Sequence, residues 1–130
     1  MSSIFTKIIK GEIPCYKIAE NEDCFAFLDI NPLTKGHVLV VPKKEIDYLF
    51  DVDDDLYQKL FLFAKKIAVA IKKAYPCKKV AVAVIGLDVD HAHIHLVPIN
   101  ESADMDFTRK KLKLTQQEFE TIAANIAAFI

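Results

Sequence analysis

Three of the chain's four histidines stand at alternate positions, in Asp90-His91-Ala92-His93-Ile94-His95-Leu96-Val97-Pro98. Successive side chains of a strand point to opposite faces, so His91, His93 and His95 share one face and Ala92, Ile94 and Leu96 the other. On a helix the same spacing would turn neighbouring imidazoles about 200° apart. The segment therefore predicts a strand presenting a row of imidazoles and closed by Pro98. Near neutral pH imidazole serves as nucleophile, proton carrier, donor to phosphate or metal ligand. Two plainer readings fit the same spacing. The histidines are buried and satisfied by partners, or a His-x-His pair holds a metal completed by Asp88 or Asp90.

A second constellation lies upstream. Asp29-Ile30-Asn31-Pro32-Leu33-Thr34-Lys35-Gly36 is turn chemistry delivering the fourth histidine, His37, to a β-branched strand that ends at Pro42. Asp29 suits either an Asx turn before Asn31-Pro32 or a carboxylate that binds hydroxyls. His37 suits core hydrogen bonding or the site.

The elements that must position these residues follow from periodicity. Ile4, Phe5, Ile8 and Ile9 behind Ser2 and Ser3 predict a short capped helix ended near Gly11. Tyr16 to Ala19 and Cys24 to Leu28 predict two strands joined by a polar hairpin. Leu56, Leu60, Phe63, Ile67, Ile71 and Ala74 form the apolar face of a long helix, acidic at its start and basic at Lys72 and Lys73. The aspartates at 51 and 53–55 lack the glycine and later glutamate of a calcium loop and read as a solvated cap. Val80 to Ile85 predicts a strand covered on both faces, and Asn100 to Lys113 a polar loop. Thr115-Gln-Gln-Glu118 is a capping box heading a final helix over Phe119, Ile122, Ala123, Ile126 and Ile130. This order predicts one α+β domain over residues 1–130 with a five-stranded, mainly antiparallel sheet. Its motif-bearing core is 4–98, and 99–130 is a C-terminal extension carrying the last helix.

Composition narrows the function classes. A net charge of −1 gives no footprint for nucleic acid or an anionic membrane, and no apolar run approaches a membrane span. Cys15, Cys24 and Cys77, odd in number and in no CxxC arrangement, fit reduced thiols in the cytoplasm. Apolar residues make up 52% of a small chain, which points to some surface buried against a second subunit.

His91-Ala-His93-Ile-His95-Leu-Val97 resembles the motif of the histidine triad (HIT) family, three histidines alternating with apolar residues. Ile4 to Pro14 resembles that family's opening segment. Ala26 to Pro32 and Gly36 to Lys43 resemble its nucleotide-binding strands, and the blocks arrive in the family's order. The small Hint-type purine nucleoside phosphoramidases are the most similar branch. The resemblance implies a HIT-like fold whose sheet grows to ten strands in a homodimer. It also implies cleavage at the α-phosphate of AMP or GMP conjugates, with neither metal nor cofactor. His93 is then the nucleophile that carries the nucleotidyl group. His91 and His95 hold phosphate oxygens and handle the leaving-group proton, with His37 as their hydrogen-bond partner. Asp29 takes the ribose hydroxyls, and Phe5, Ile8, Ile13, Phe27 and Ile30 form the slot for the base. An imidazole suits the nucleophilic role because it both attacks and leaves well.

The chain departs from the family pattern in three places. Gly86-Leu87-Asp88-Val89-Asp90 is short and carries two acids before the triad, where a polar, glycine-rich loop is usual. The cysteine pair with which some members bind zinc is replaced, Ser2 and Thr6 lying near its place, so no zinc is expected. The end after Pro98 resembles the small members least.

Overall fold

The computed structural model describes residues 2–130. Helix α1 (Ile4–Ile9) leads into an antiparallel hairpin, β1 (Lys17–Glu20) and β2 (Cys24–Leu28), followed by β3 (Val38–Pro42). The long helix α2 (Asp54–Ala74) connects to β4 (Lys79–Ala83) and β5 (Ile94–Ile99), and α3 (Gln116–Ala127) closes the chain. All pairings are antiparallel, in the spatial order β1-β2-β3-β5-β4. The expected α+β architecture is the one observed.

Helices α2 and α3 cover one face of the sheet. There Ala26, Leu28, Val38, Val40, Ile94 and Leu96 meet Leu60, Phe63, Ile67, Ile71, Ile122 and Ile126 in the main core. Asp53 caps α2 by accepting from the Leu56 N–H, with Lys72 and Lys73 in its last turn, so sequence charge and helix dipole agree. The capping box at Thr115 and Glu118 is formed in both directions. The opposite face carries a second cluster of Phe25, Phe27, Leu39 and Val41, on which α1 lays Phe5. His95 pairs with Leu39, and Leu39 with Phe27, so the histidine belongs to this second face, away from α2 and α3.

Three expectations need correction. The regular ladder of β5 begins at Ile94, so His91 and His93 precede it. Alternation nevertheless extends back to them, because Ala92 joins the main core with Ile94. Pro98 lies inside β5 and does not end it. Its carbonyl accepts from Thr34 Oγ1 at 2.9 Å, while that of Ile99 faces the other way to Lys78 N. The missing N–H thus points beyond the end of β3, where no ladder partner is needed. Finally, β4 is the sheet's edge strand and is not covered on both faces, Val82 being 56% exposed.

Candidate active site

His37 and His95 are joined by a bond whose direction the backbone decides. Gly36, at φ +98°, turns the chain so that His37 enters the sheet. The Asp29 N–H donates to the His37 carbonyl, and the His37 N–H to Thr34 O. The Leu33 N–H donates to His37 Nδ1 at 3.0 Å, so that nitrogen is an acceptor and the proton sits on Nε2. His37 Nε2–H therefore donates to His95 Nδ1 at 2.9 Å. His95 in turn carries its proton on Nε2. Burial, reinforced by neighbouring His95, Lys111 and His93, pushes His37 down to about 3. Burial beside His93 pushes His95 to about 4. Both rings are neutral at pH 7, so the 3.5 Å approach of His37 Nε2 to Asp29 Oδ2 is not an ion pair.

The other two histidines are fixed in the same way. His93 Nδ1 lies 2.8 Å from the His91 carbonyl, which can only accept, so Nδ1 bears a proton and, in the neutral ring, Nε2 keeps its lone pair. His91 Nε2–H donates to Pro42 O at 2.8 Å, leaving Nδ1 to accept from Ser3 Oγ at 2.8 Å. Wholly buried, with both ring nitrogens engaged, His91 offers nothing to a phosphate. This departs from its expected role, because its hydrogen bonds are spent on holding its own place. Every buried side-chain polar atom among the described residues has a hydrogen-bond partner. Among the same residues the Nε2 atoms of His93 and His95 have none, so both are exposed to solvent. The two rings meet edge to face at 5.0 Å, and Phe5 flanks His93 at 4.9 Å.

Asp29 takes up its Asx-turn reading. Its Oδ1 accepts from Asn31 N at 2.8 Å in an Asx turn, while Oδ2 faces His37. Burial pushes its carboxyl above the ordinary range, partly offset by the Asn31 N–H, His93 and Lys111. Phe5, Phe27 and half-buried Ile8 come together beside the triad. Ile13 joins neither cluster. Ile30 is 63% exposed and lines a separate groove with Pro14, Tyr16 and Glu120, away from the phenylalanines. Asp88 and Asp90 are exposed, whereas Val89 between them packs on the Phe5 cluster, so alternation turns both acids outward.

Comparison with known proteins agrees with this geometry. Residues 10–102 match the model of the HIT domain. The chain belongs to the HIT family. It is 33% identical over 132 residues to the adenosine 5′-monophosphoramidase hnt1 of Schizosaccharomyces pombe, covering 100% of this chain and 99% of that one. It is 35% identical to an uncharacterized HIT-like protein of Borreliella burgdorferi, covering 95% of each. Among solved structures, a Hit-like protein involved in cell-cycle regulation from Bartonella henselae superposes with a TM-score of 0.86 at 31% identity, covering 99% and 96%. Family membership supports a nucleotide-hydrolase function in general terms.

Several groups of this HIT site were invisible to sequence reasoning. The Leu33 N–H and the Pro42 carbonyl are backbone atoms and leave no motif. Phe107 comes from the segment read as polar loop, yet it packs edge-on against His95 at 4.9 Å. Arg109 and Leu112 hold that segment in place through the carbonyls of Leu33 and Pro32. The hydroxyl opposite His91 belongs to Ser3.

The same bonds bear on the metal reading. Ligand atoms of Asp29, His37 and His95 lie within 4.8 Å of one another. Yet His37 Nδ1 already accepts from Leu33, so a metal on Nε2 would require a ring stripped of both protons. His37 Nε2 is engaged with His95 Nδ1 and is not a free ligand.

Proposed function

We propose that the protein hydrolyses purine nucleotide conjugates of the AMP or GMP type at the α-phosphate through a nucleotidyl group on His93. The observation that carries the reading is the 2.8 Å bond from His93 Nδ1–H to His91 O, which in the neutral ring leaves the lone pair on a solvent-reaching Nε2. In a phosphoramidate, that lone pair bonds to phosphorus and the bond to the leaving amine breaks with its electrons. The amine takes a proton from water. A second water then attacks phosphorus, displaces Nε2, and returns its surplus proton to solvent. His95 Nε2–H holds a phosphoryl oxygen as charge develops. It is not the proton source, since giving its proton away would strand an anion between His37 and the phosphate.

Asp29 Oδ2 takes a ribose hydroxyl, and Phe5, Ile8 and Phe27 receive the base, with Ile13 at its margin. Incubation with adenosine 5′-phosphoramidate tests the reading. The wild type releases AMP, and His93→Ala loses at least about a thousandfold in kcat. Rapid quenching gives a wild-type chain heavier by one adenylyl group. Equal AMP release by both proteins would overturn the proposal.

We also infer a homodimer in which two β4 edges pair and the sheets merge. Val82, Ile85 and Leu87 around β4, with Leu62 and Val69 on α2, are exposed apolar residues. The three thiols are unpaired, which fits the reducing cytoplasm. No helix among the described residues is long and apolar enough to cross a membrane.

A further inference from the structure

We propose that Ser3, at the N-terminus of α1, is a positioning residue for the nucleophile: its hydroxyl donates to His91 Nδ1 and so fixes the carbonyl that orients His93. The inference rests on the reaction proposed above, which it extends to a residue outside the triad.

The hydrogen bonds form an unbroken chain with only one consistent set of protons. Pro42 O lacks a proton, so His91 Nε2 must supply one across 2.8 Å. A neutral ring then has a bare Nδ1, and Ser3 Oγ, 2.8 Å away, must be the donor. That uses the hydroxyl's single proton and leaves none for Thr6 Oγ1, 3.3 Å away. As acceptor, the same oxygen takes the Thr6 N–H at 3.0 Å, the N-cap bond of α1. Glu45, from the turn after β3, accepts from both Ser3 N and Thr6 Oγ1 at 2.6 Å. These two donors hold its carboxyl down to about 2, so it stays an anion. Read in order, Glu45 fixes Ser3, Ser3 fixes the His91 ring, and the His91 carbonyl fixes the His93 tautomer at 2.8 Å.

The chain matters because His91 and His93 precede the regular ladder of β5. The Ala92 N–H is taken by Ile46 O at 2.7 Å, and the His91 N–H by Val89 O. Beside these two backbone bonds and the burial of Ala92, the ring of His91 anchors this stretch, and one of its two hydrogen bonds is to Ser3. Phe5, two residues on in the same helix, packs edge-on against both His91 and His93. Loss of the Ser3 bond therefore frees the His91 carbonyl to drift, and His93 then samples the tautomer with its proton on Nε2, which cannot attack phosphorus.

Ser3 also caps α1, so the test must separate donor from cap. Glycine is nearly as good an N-cap as serine but lacks the hydroxyl, alanine lacks both functions, and threonine keeps both. With adenosine 5′-phosphoramidate, Ser3→Gly and Ser3→Ala are both expected to lose about tenfold in kcat, with KM within about twofold of wild type. Ser3→Thr is expected to stay within about threefold of wild type in kcat. Long-range ¹H–¹⁵N spectra should show His93 protonated on Nδ1 in the wild type and in Ser3→Thr, and a mixture of tautomers in Ser3→Gly. A Ser3→Gly variant with wild-type kcat, or with an unchanged His93 tautomer, would overturn the inference, as would a loss confined to KM. The spectra need no turnover. If the wild type cleaves nothing, the proposed reaction fails while the tautomer readings still decide the role of Ser3.

Discussion

His37 Nε2 donates to His95 Nδ1 across 2.9 Å, and the direction of that bond is set by neither histidine. The Leu33 N–H occupies His37 Nδ1 from a turn whose shape depends on Pro32 and on Gly36 at φ +98°. A backbone group, placed by turn chemistry, thereby determines that His95 shows a donor and not a lone pair on its outer nitrogen. His93 shows the reverse, because a carbonyl occupies its Nδ1. One acceptor nitrogen and one donor thus stand side by side, 5.0 Å between ring centroids.

Replacing His37 with phenylalanine keeps the ring's bulk and removes both hydrogen-bonding atoms. Leu33 N–H and His95 Nδ1 are then buried without partners, at a cost of about 1–3 kcal/mol each. Urea unfolding should register that loss. The freed His95 exchanges tautomers, and kcat on adenosine 5′-phosphoramidate should fall by about tenfold or more. A variant of wild-type stability and turnover would sink the relay.

Stability should depend on pH in a direction these histidines dictate. His37 and His95 are held at about 3 and about 4, below the ordinary 6.5. Between those values the unfolded chain binds protons that the native one refuses, so stability is full above about pH 6.5 and falls as pH drops. Each histidine contributes a slope of up to about 1.4 kcal/mol per pH unit. Asp29, held above its ordinary 3.8 by burial, works in the opposite sense over the range just above that value. Urea midpoints measured across this range should rise with pH in the wild type and rise less steeply in His37→Phe. Parallel slopes in the two proteins would rule out the histidine origin.

Phe107 keeps water from the far side of the relay, its ring 4.9 Å from that of His95 and 6.3 Å from that of His37. Phe107→Ala should let the His95 pKa rise from about 4 toward its ordinary 6.5, as followed by NMR titration. Turnover should then drop more at about pH 6 than at about pH 8, because the Nδ1 of a protonated His95 can no longer accept from His37 Nε2–H, which breaks the ordered pair. An identical deficit at both pH values would instead mean that Phe107 acts through packing alone.

The sequence was most informative where periodicity and motif coincided. Alternation at 91–96 put Ala92, Ile94 and Leu96 into the main core and the histidines on the other face, and the Thr115 capping box formed as written. It misled where one pattern has two physical solutions. The apolar run from Val80 fits a strand buried on both faces, but it equally fits an edge strand, and β4 is the edge. A proline commonly ends a strand, yet Pro98 sits where β3 has run out and its absent N–H costs nothing. What sequence could not reveal is the role of each ring nitrogen. Those roles depend on the Leu33 N–H and the carbonyls of Pro42 and His91, which every residue type carries alike. Ile30 illustrates the same limit at the slot, since its type suited a base while the turn at Asp29 aimed it elsewhere.

The β4 edge yields a last prediction. An edge strand exposes unpaired backbone groups, and chains that stay single blunt such edges with charge, proline or a bulge. Lys79-Val80-Ala81-Val82-Ala83 has one lysine at its end and none of the other devices. Leu87, just beyond it, is 85% exposed. Leaving this much apolar edge in water is unfavourable, whereas pairing two copies satisfies the backbone and buries the side chains together. A lysine at position 82 of both copies would place like charges against each other across such a joint. Val82→Lys should therefore shift the species seen in sedimentation equilibrium from twice the chain mass to 14.7 kDa, while the wild type stays paired at micromolar concentration. If the wild type sediments as a single chain, or if Val82→Lys leaves the pair intact, the joint does not run along β4. The exposed residues of α2, Leu62 and Val69, would then be the next surface to charge.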